Sequence, residues 1–273
     1  SCKGVHDKKV VNVHPEKEIS FSADTMPRIS DNIMSVYQDS KNNYWFGSWR
    51  DGVYKFDGKN ITHFTAKNGL PSDRVEEIRE DKFGNIFINT SQGLCKYDGF
   101  MMQEIVASGP QDGRWQLKPD DLWFKSTVRR HVARYDGQNL HHLKIPTCDI
   151  GEAYMEKNPT AISPYDIYWI YKDSKGNIWF GTGAVGAFRY NGVSFDWINE
   201  DDVTELHNGP ANGVRSIIED GDGYFWFNSE YKYKVYDKSG LDITKTNGKF
   251  YERIKSIGNL NGINPNSFLP NAN

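Results

Sequence analysis

The chain has 273 residues, a net charge of −3 with both signs mixed throughout, and 14% aromatic residues. That length allows one large domain or two small ones, and the balanced charge argues against a nucleic-acid-binding surface. No apolar run approaches the roughly 18–20 residues that cross a bilayer as a helix, while the aromatic content suits strands.

The chain opens Ser1-Cys2-Lys3-Gly4, and residues 1–17 are polar throughout most of their length. They read as a tether. Cys2 reads as the lipid-bearing residue of a processed bacterial lipoprotein, with a plain chain end as the alternative. A periplasmic or cell-surface location follows, with membrane contact only through that anchor. Cys95 sits mid-strand and Cys148 in a loop; spacing alone leaves a bridge between them open, and no cysteine pair has zinc-ligand spacing.

Residues 18–273 read as a single domain, because one phrase returns five times: NNYWFGS (42–48), GNIFINT (84–90), DDLWFKS (120–126), GNIWFGT (176–182) and GYFWFNS (223–229). Aligned on Trp45, Phe87, Trp123, Trp179 and Trp226, the copies are spaced by 42, 36, 56 and 47 residues. Such periods mark solenoids, propellers or arrays. In the first copy, Ile33–Tyr37, Tyr44–Ser48, Val53–Phe56 and Ile61–Thr65 read as strands separated by Asp-, Asn- and Gly-containing turns. Four antiparallel strands per repeat make a propeller blade.

Blade two is expected over Val75–Arg79, Asn85–Thr90, Leu94–Tyr97 and Met102–Val106. Blade three is expected over Arg114–Lys118, Leu122–Ser126, Val132–Tyr135 and Leu140–Leu143. Blade four takes Tyr168–Tyr171, Ile178–Gly181, Ala187–Tyr190 and Phe195–Ile198. Blade five takes Val214–Ile218, Phe225–Ser229, Lys234–Tyr236 and an unassigned outer strand. The fold expected is an all-β, five-bladed propeller with a C-terminal tail. Ile19–Ser22 is expected to complete the last blade and close the ring, with Gly248–Arg253 as rival, because an open ring leaves strand edges unpaired.

The stretch Asp173-Ser174-Lys175-Gly176-Asn177-Ile178-Trp179-Phe180-Gly181-Thr182 and the linking phrase Asn68-Gly69-Leu70-Pro71-Ser72 resemble the two-component regulator propeller repeat. The resemblance spans about 225 residues. It implies a stand-alone, short member of a family of sensor regions outside the cytoplasm, and hence ligand sensing, with oligosaccharides among the ligands. Blade three departs from the pattern: Lys118-Pro119-Asp120-Asp121 replaces its D-x-x-G-N turn. Phosphotransfer signalling is not carried over.

Asp39, Asp81, Asp173 and Asp220 read as turn formers, and the repeated tryptophans as packing between blades. Asp220-Gly221-Asp222-Gly223 lacks the ligands of a calcium loop. No cofactor or metal is expected. Loops after the second strand and between blades emerge on one face, which collects Trp49, Arg50, Gln92, Trp115, Arg129, Arg130, His131, Tyr165, Glu230, Tyr231 and Lys232 as candidate ligand-binding residues. Long insertions at 146–166 and 199–213 flank blade four. Rings beside charged groups suit a sugar, whose C–H faces stack while its hydroxyls hydrogen-bond. Three readings follow. The first is a non-enzymatic propeller binding a glycan or small molecule. The second is a platform for a protein partner. The third is a small-molecule enzyme using His131 or His207; a streptogramin-inactivating lyase has a related propeller, but no motif of its site is matched here.

Overall fold

Three copies of the phrase, in blades one, two and four, are knots of hydrogen bonds around one aspartate. In the computed structural model, residues 24–108, 113–198, 212–221, 224–229, 243–246, 249–255 and 267–268 are described. Asp39 Oδ1 accepts the backbone N–H groups of Lys41 (3.0 Å) and Asn43 (2.8 Å). Its Oδ2 accepts the Asn43 amide and the Trp45 indole, both at 2.8 Å. Burial disfavours the charged carboxylate, but these donors outweigh it and hold Asp39 below the usual carboxylate range. Asp173 repeats the set with Lys175, Asn177 and Trp179. Asp81 binds Phe83 and Asn85 alike, and Phe87 stands where the indole would be. Asp39, Asp81 and Asp173 are therefore turn formers, and two of the tryptophans are anchored by them; the turn after Asp220 includes residues outside those described.

These turns join first strands to second strands. Blade one contains β1 (Asp24–Met26), β2 (Ile33–Gln38), β3 (Tyr44–Ser48), β4 (Val53–Phe56) and β5 (Ile61–Phe64), paired in the order β1-β5-β4-β3-β2. Blade two is the antiparallel meander β6 (Val75–Glu80), β7 (Ile86–Thr90), β8 (Gly93–Tyr97) and β9 (Met102–Ile105). Blade three has three strands, β10 (Leu122–Lys125), β11 (His131–Tyr135) and β12 (Leu140–Lys144). A helix, α1 (Asp149–Lys157), follows in the first long insertion. Blade four is β13 (Ile167–Lys172), β14 (Ile178–Thr182), β15 (Val185–Tyr190) and β16 (Phe195–Ile198). Next come β17 (Asn212–Glu219), β18 (Tyr224–Ser229), β19 (Ile243–Thr246), β20 (Lys249–Lys255) and the short β21 (Ser267–Phe268).

The sheets pack face to face through the apolar side chains that each blade presents. Trp45, Phe64, Val75, Ile78 and Ile88 bury one interface; Phe87, Leu94, Phe124, Ala133 and Leu140 the next. Trp123, Phe180, Phe188, Tyr190 and Phe195 fill the largest, between blades three and four. Trp179, Val214, Ile217 and Phe225 join blade four to β17 and β18. Polar clamps reinforce the packing: Ser40 binds Glu80 of the next blade through N–H (2.8 Å) and Oγ (2.6 Å), and Ser174 binds Glu219 in the same way. Glycine in the phrase has a steric reason. A Cβ at Gly47 would lie 2.6 Å from Val75 Cγ1, and one at Gly181 would lie 2.5 Å from Val214 O. The next blade's first strand seats there.

Four expectations are either corrected or fall outside the described residues. First, Arg114–Lys118 is not the inner strand of blade three. Ala107 and Ser108 run beside Leu140 of β12, and Trp115 N–H then donates to Gly192 O (2.7 Å). The alternating apolar residues Trp115 and Leu117 are spent on the core between blades three and four. Second, Ile19–Ser22, expected to complete the last blade, lies outside the described residues, as do residues 1–17 with Cys2; the strand seen after it, β1, pairs with β5 on blade one (Asp24 opposite His63). Third, β20 takes the third position of the last unit, with Trp226 opposite Arg253, and β19 lies outside it. Lys234–Tyr236 lies outside the described residues. Fourth, a parallel step, Val185 to Asn212 and Gly186 to Gly213, fuses β15 to β17, and no strand of the last unit pairs with blade one among the described residues. The closed five-bladed ring is thus not displayed by the described strands. Cys95 and Cys148 are both free and buried.

Candidate ligand-binding site

Among the described residues blade three has no inner strand, and this shapes the site. In the other blades the second strand's last residue, Ser48, Thr90 or Thr182, pairs with the start of an inner strand, at Ile33, Val75 or Ile167. The corresponding end of β10, Lys125 and Ser126, has no such neighbour and lines a cavity of about 720 Å³ instead. The other walls come from Trp49, Arg74 and Glu76 on one side, the loop Thr127–His131 on another, and Tyr165–Tyr168 opposite. An adjoining, more open depression of about 680 Å³ is lined by Trp49, Arg50, Ser72, Arg74 and Gln92.

Arginines lie on rings around this mouth. The Arg74 guanidinium sits 3.7 Å from the centre of the Trp49 ring and 3.4 Å from Glu76 Oε1. Arg215 sits 3.5 Å from the centre of the Tyr168 ring. Arg130 is 5.7 Å from the Tyr165 ring and 3.6 Å from Glu152 of α1. Each such contact stabilises by about 0.5–2 kcal/mol, more where water is excluded. Tyr165 is itself buried: its hydroxyl donates to Cys148 O and accepts from Cys148 N–H, both at 3.0 Å, fixing the start of α1 against the cavity wall. Burial is the main cause that raises its pKa.

The blade-three loop is held in a costly shape. Arg130 has φ 59°, left-handed backbone for a residue with a Cβ, which costs on the order of 1–3 kcal/mol. His131 N–H donates to Val128 O (3.1 Å) and Ile145 N–H to Arg130 O (2.8 Å), and these hold it. Ser126 Oγ lies 3.0 Å from His142 Nδ1 and accepts Val128 N–H at 2.9 Å. Burial, then the nearby His131, lowers the pKa of His142. Ser126 thus closes the loop turn, and among the described residues no carboxylate is hydrogen-bonded to His142 to complete a triad. Asp166 lines the cavity, and burial pushes its carboxyl above the usual range against the pull of Arg129.

Of the residues expected from the sequence, Trp49, Arg129, Arg130, His131 and Tyr165 meet at the main cavity, and Arg50 and Gln92 at the adjoining one. Trp115 does not join them; it packs against Trp123, His141 and Tyr190. Glu230, Tyr231 and Lys232, and His207, lie outside the described residues. Sequence reasoning missed Met34, Arg74, Glu76, Asp166 and Tyr168 because it placed them in strands or linkers. A signal was present: inner strands carry apolar residues three apart (Val75 and Ile78, Ile167 and Ile170), a spacing that plain alternation does not produce.

The two component regulator propeller family model matches residues 27–50 and 161–184, so the chain carries this repeat. No curated protein matches the chain. Among solved structures it resembles the extracellular domain assigned to a hybrid two component system of B. thetaiotaomicron, at 16% identity and TM-score 0.54, over 85% of this chain and 28% of that one. A second extracellular domain from the same organism, assigned to a one component system, gives 16% identity and TM-score 0.53 over 84% of this chain and 28% of that one. A streptogramin B lyase gives 14% identity and TM-score 0.52 over 86% of this chain and 73% of that one. The chain spans little more than a quarter of the two extracellular domains, and these likenesses establish a propeller-type fold. No helix among the described residues is long and apolar enough to cross a membrane.

Proposed function

We propose that this chain, a carrier of two-component regulator propeller repeats, is a non-enzymatic ligand-binding propeller working outside the cytoplasm, and that it takes an oligosaccharide at the cavity beside blade three. The observation that carries the reading is the cavity wall: Trp49 under Arg74 on one side and Tyr168 under Arg215 on the other, spaced around about 720 Å³. Rings and forked N–H donors are what a sugar's two kinds of surface require. The volume fits a small-molecule site. In the same reading the five repeats close into one ring, with blade one meeting the last unit.

Thermal melting with a panel of oligosaccharides tests it. A ligand at 100 times its Kd raises stability by about 2.7 kcal/mol. The expected result is a rise in Tm with at least one saccharide that Trp49→Ala abolishes, while the free variant still unfolds in one cooperative transition, its Tm lowered only by the lost Arg74 contact. No shift with any saccharide, or a shift indifferent to Trp49, contradicts the reading. A shift produced only by a co-purifying protein favours an interaction platform instead.

A further inference from the structure

The inner strands share a register fault. In β2, β6, β13 and β17 one extra residue stands between the first pair and the next: Met34 between Ile33 and Ser35, Glu76 between Val75 and Glu77, Tyr168 between Ile167 and Trp169, Arg215 between Val214 and Ser216. A β-bulge interrupts the ladder and re-aims a side chain, and bulges concentrate beside functional sites. Here all four fall at the same step. Met34, Glu76 and Tyr168 line the cavity, and Arg215 stacks on Tyr168. The bulges of blades one, two and four deliver one side chain each to the mouth, Arg215 stands behind them on the Tyr168 ring, and the four residue types differ.

Charge at the mouth also departs from that of the chain. The cavity is lined by four cations, Arg74, Lys125, Arg129 and Arg130, against two carboxylates, Glu76 and Asp166, in a chain of net charge −3. Glu76 is taken up by Arg74 at 3.4 Å. Among the described residues no ion pair engages Lys125 or Arg129. A guanidinium stacked by its face still presents its N–H edge, suited to a carboxylate or sulfate.

We propose that the cavity takes an acidic oligosaccharide, one bearing carboxylate or sulfate groups, and that the bulge residues Glu76, Tyr168 and Arg215 set this choice. The inference rests on the ligand-binding reading above and narrows its ligand class. Tyr168 and Trp49 supply sugar-stacking faces. Lys125 and Arg129, which line the cavity, meet the anionic groups, and Arg215 backs the Tyr168 ring. Glu76 holds Arg74 flat against Trp49 and keeps it from over-binding.

Calorimetric titration of the full chain with three sets of oligosaccharides tests this: neutral gluco-oligosaccharides, oligogalacturonates, and chondroitin sulfate fragments. The expected result is binding by an acidic set only, weakened about tenfold in 0.5 M salt by screening. Binding of oligogalacturonates shows that a carboxylate suffices; binding of the chondroitin sulfate fragments alone, lost on their desulfation, shows that sulfate is the group read. Lys125→Gln in β10, where the glutamine keeps most of the half-buried side chain's length, and Arg129→Gln at an exposed loop position should each weaken binding about fivefold, the loss of one charge contact. Tyr168→Ala should weaken it further, and Glu76→Gln should strengthen it. Salt-insensitive binding of the neutral set overturns the inference while leaving the ligand-binding reading standing. Failure of all three sets with folded protein removes both. Acidic binding unchanged by Tyr168→Ala and Glu76→Gln overturns the assignment of the bulges.

Discussion

Blades three and four solve the same problem with different chemistry. Blade four keeps the repeat phrase: Asp173 collects two backbone N–H groups, the Asn177 amide and the Trp179 indole, and β13 forms on the inside. Blade three has lost the phrase. Its Asp121 instead pairs with Arg134 at 2.8 Å, with both side chains under 5% exposed, and accepts Lys118 N–H at 2.7 Å. The Trp123 indole N–H has no partner among the described residues, and no inner strand forms. The difference shows what the phrase does. Where the aspartate organises the first turn, the inner strand is seated. In blade three Leu117 stands at the aspartate's position, six residues before Trp123, Asp121 pairs with a buried arginine, no inner strand is seen among the described residues, and the loop 125–131 faces a cavity.

The largest effect expected from this contrast is at the buried ion pair. Asp121→Ala leaves Arg134 buried with only Gln116 O, 3.2 Å away, as a hydrogen-bond acceptor, at a cost of about 3–5 kcal/mol. Asp173→Ala, which strips hydrogen bonds from a turn without stranding a charge, should cost about 1–3 kcal/mol. Urea denaturation of the two variants ranks them; the reverse order would mean that the turn, not the ion pair, dominates.

A smaller difference separates the tryptophans. Trp179→Phe removes the 3.0 Å donor to Asp173 and should cost about 1–2 kcal/mol beyond the lost ring area. Trp123→Phe removes an indole N–H that satisfies nothing, so its cost should reduce to packing. Equal losses in denaturant midpoint would show that the indole–aspartate bond contributes little.

Acid should expose the smallest term. Donors hold Asp39 below the usual carboxylate range despite its burial. Asp136 is held at about 2, where burial works against ionisation but Asn139, His141 and Gln138 prevail. A carboxyl depressed in the fold contributes stability above its unfolded pKa, near 3.9, and loses it as pH falls through the folded value. Tm should therefore be level near neutrality and fall between about pH 4 and pH 2. Asp136→Asn should flatten that fall and lower Tm at pH 7. A variant with the parent's acid profile would remove Asp136 from the account.

Much of this molecule was legible from its residues. In blades one to four the phrase located second, third and fourth strands closely, and Asp39, Asp81 and Asp173 read correctly as turn formers. Cavity residues on loops after second strands (Trp49, Arg129, Arg130, His131) were found by topology alone. The failures have one physical source. Arg-Trp-Gln-Leu-Lys at 114–118 alternates as a strand should, yet alternation states only that one face is apolar, not which core receives it; Trp115 and Leu117 found the core of blades three and four. Bulges likewise escape a period-two reading, so Glu76 and Tyr168 were filed as strand interior. The helix Asp149–Lys157 buries only Gly151, too little for a periodic signal.

The central claim is that the mouth built by the inner-strand bulges and the blade-three loop is where a ligand sits. Hydrogen–deuterium exchange, with and without the saccharide that raises Tm most, tests it directly. The account predicts added protection in residues 125–131, 165–168 and the first residues of β2 and β6, with the outer strands β5, β9 and β12 unchanged. Protection centred on those outer strands, or on the opposite end around Gly192 and Trp115, would contradict it.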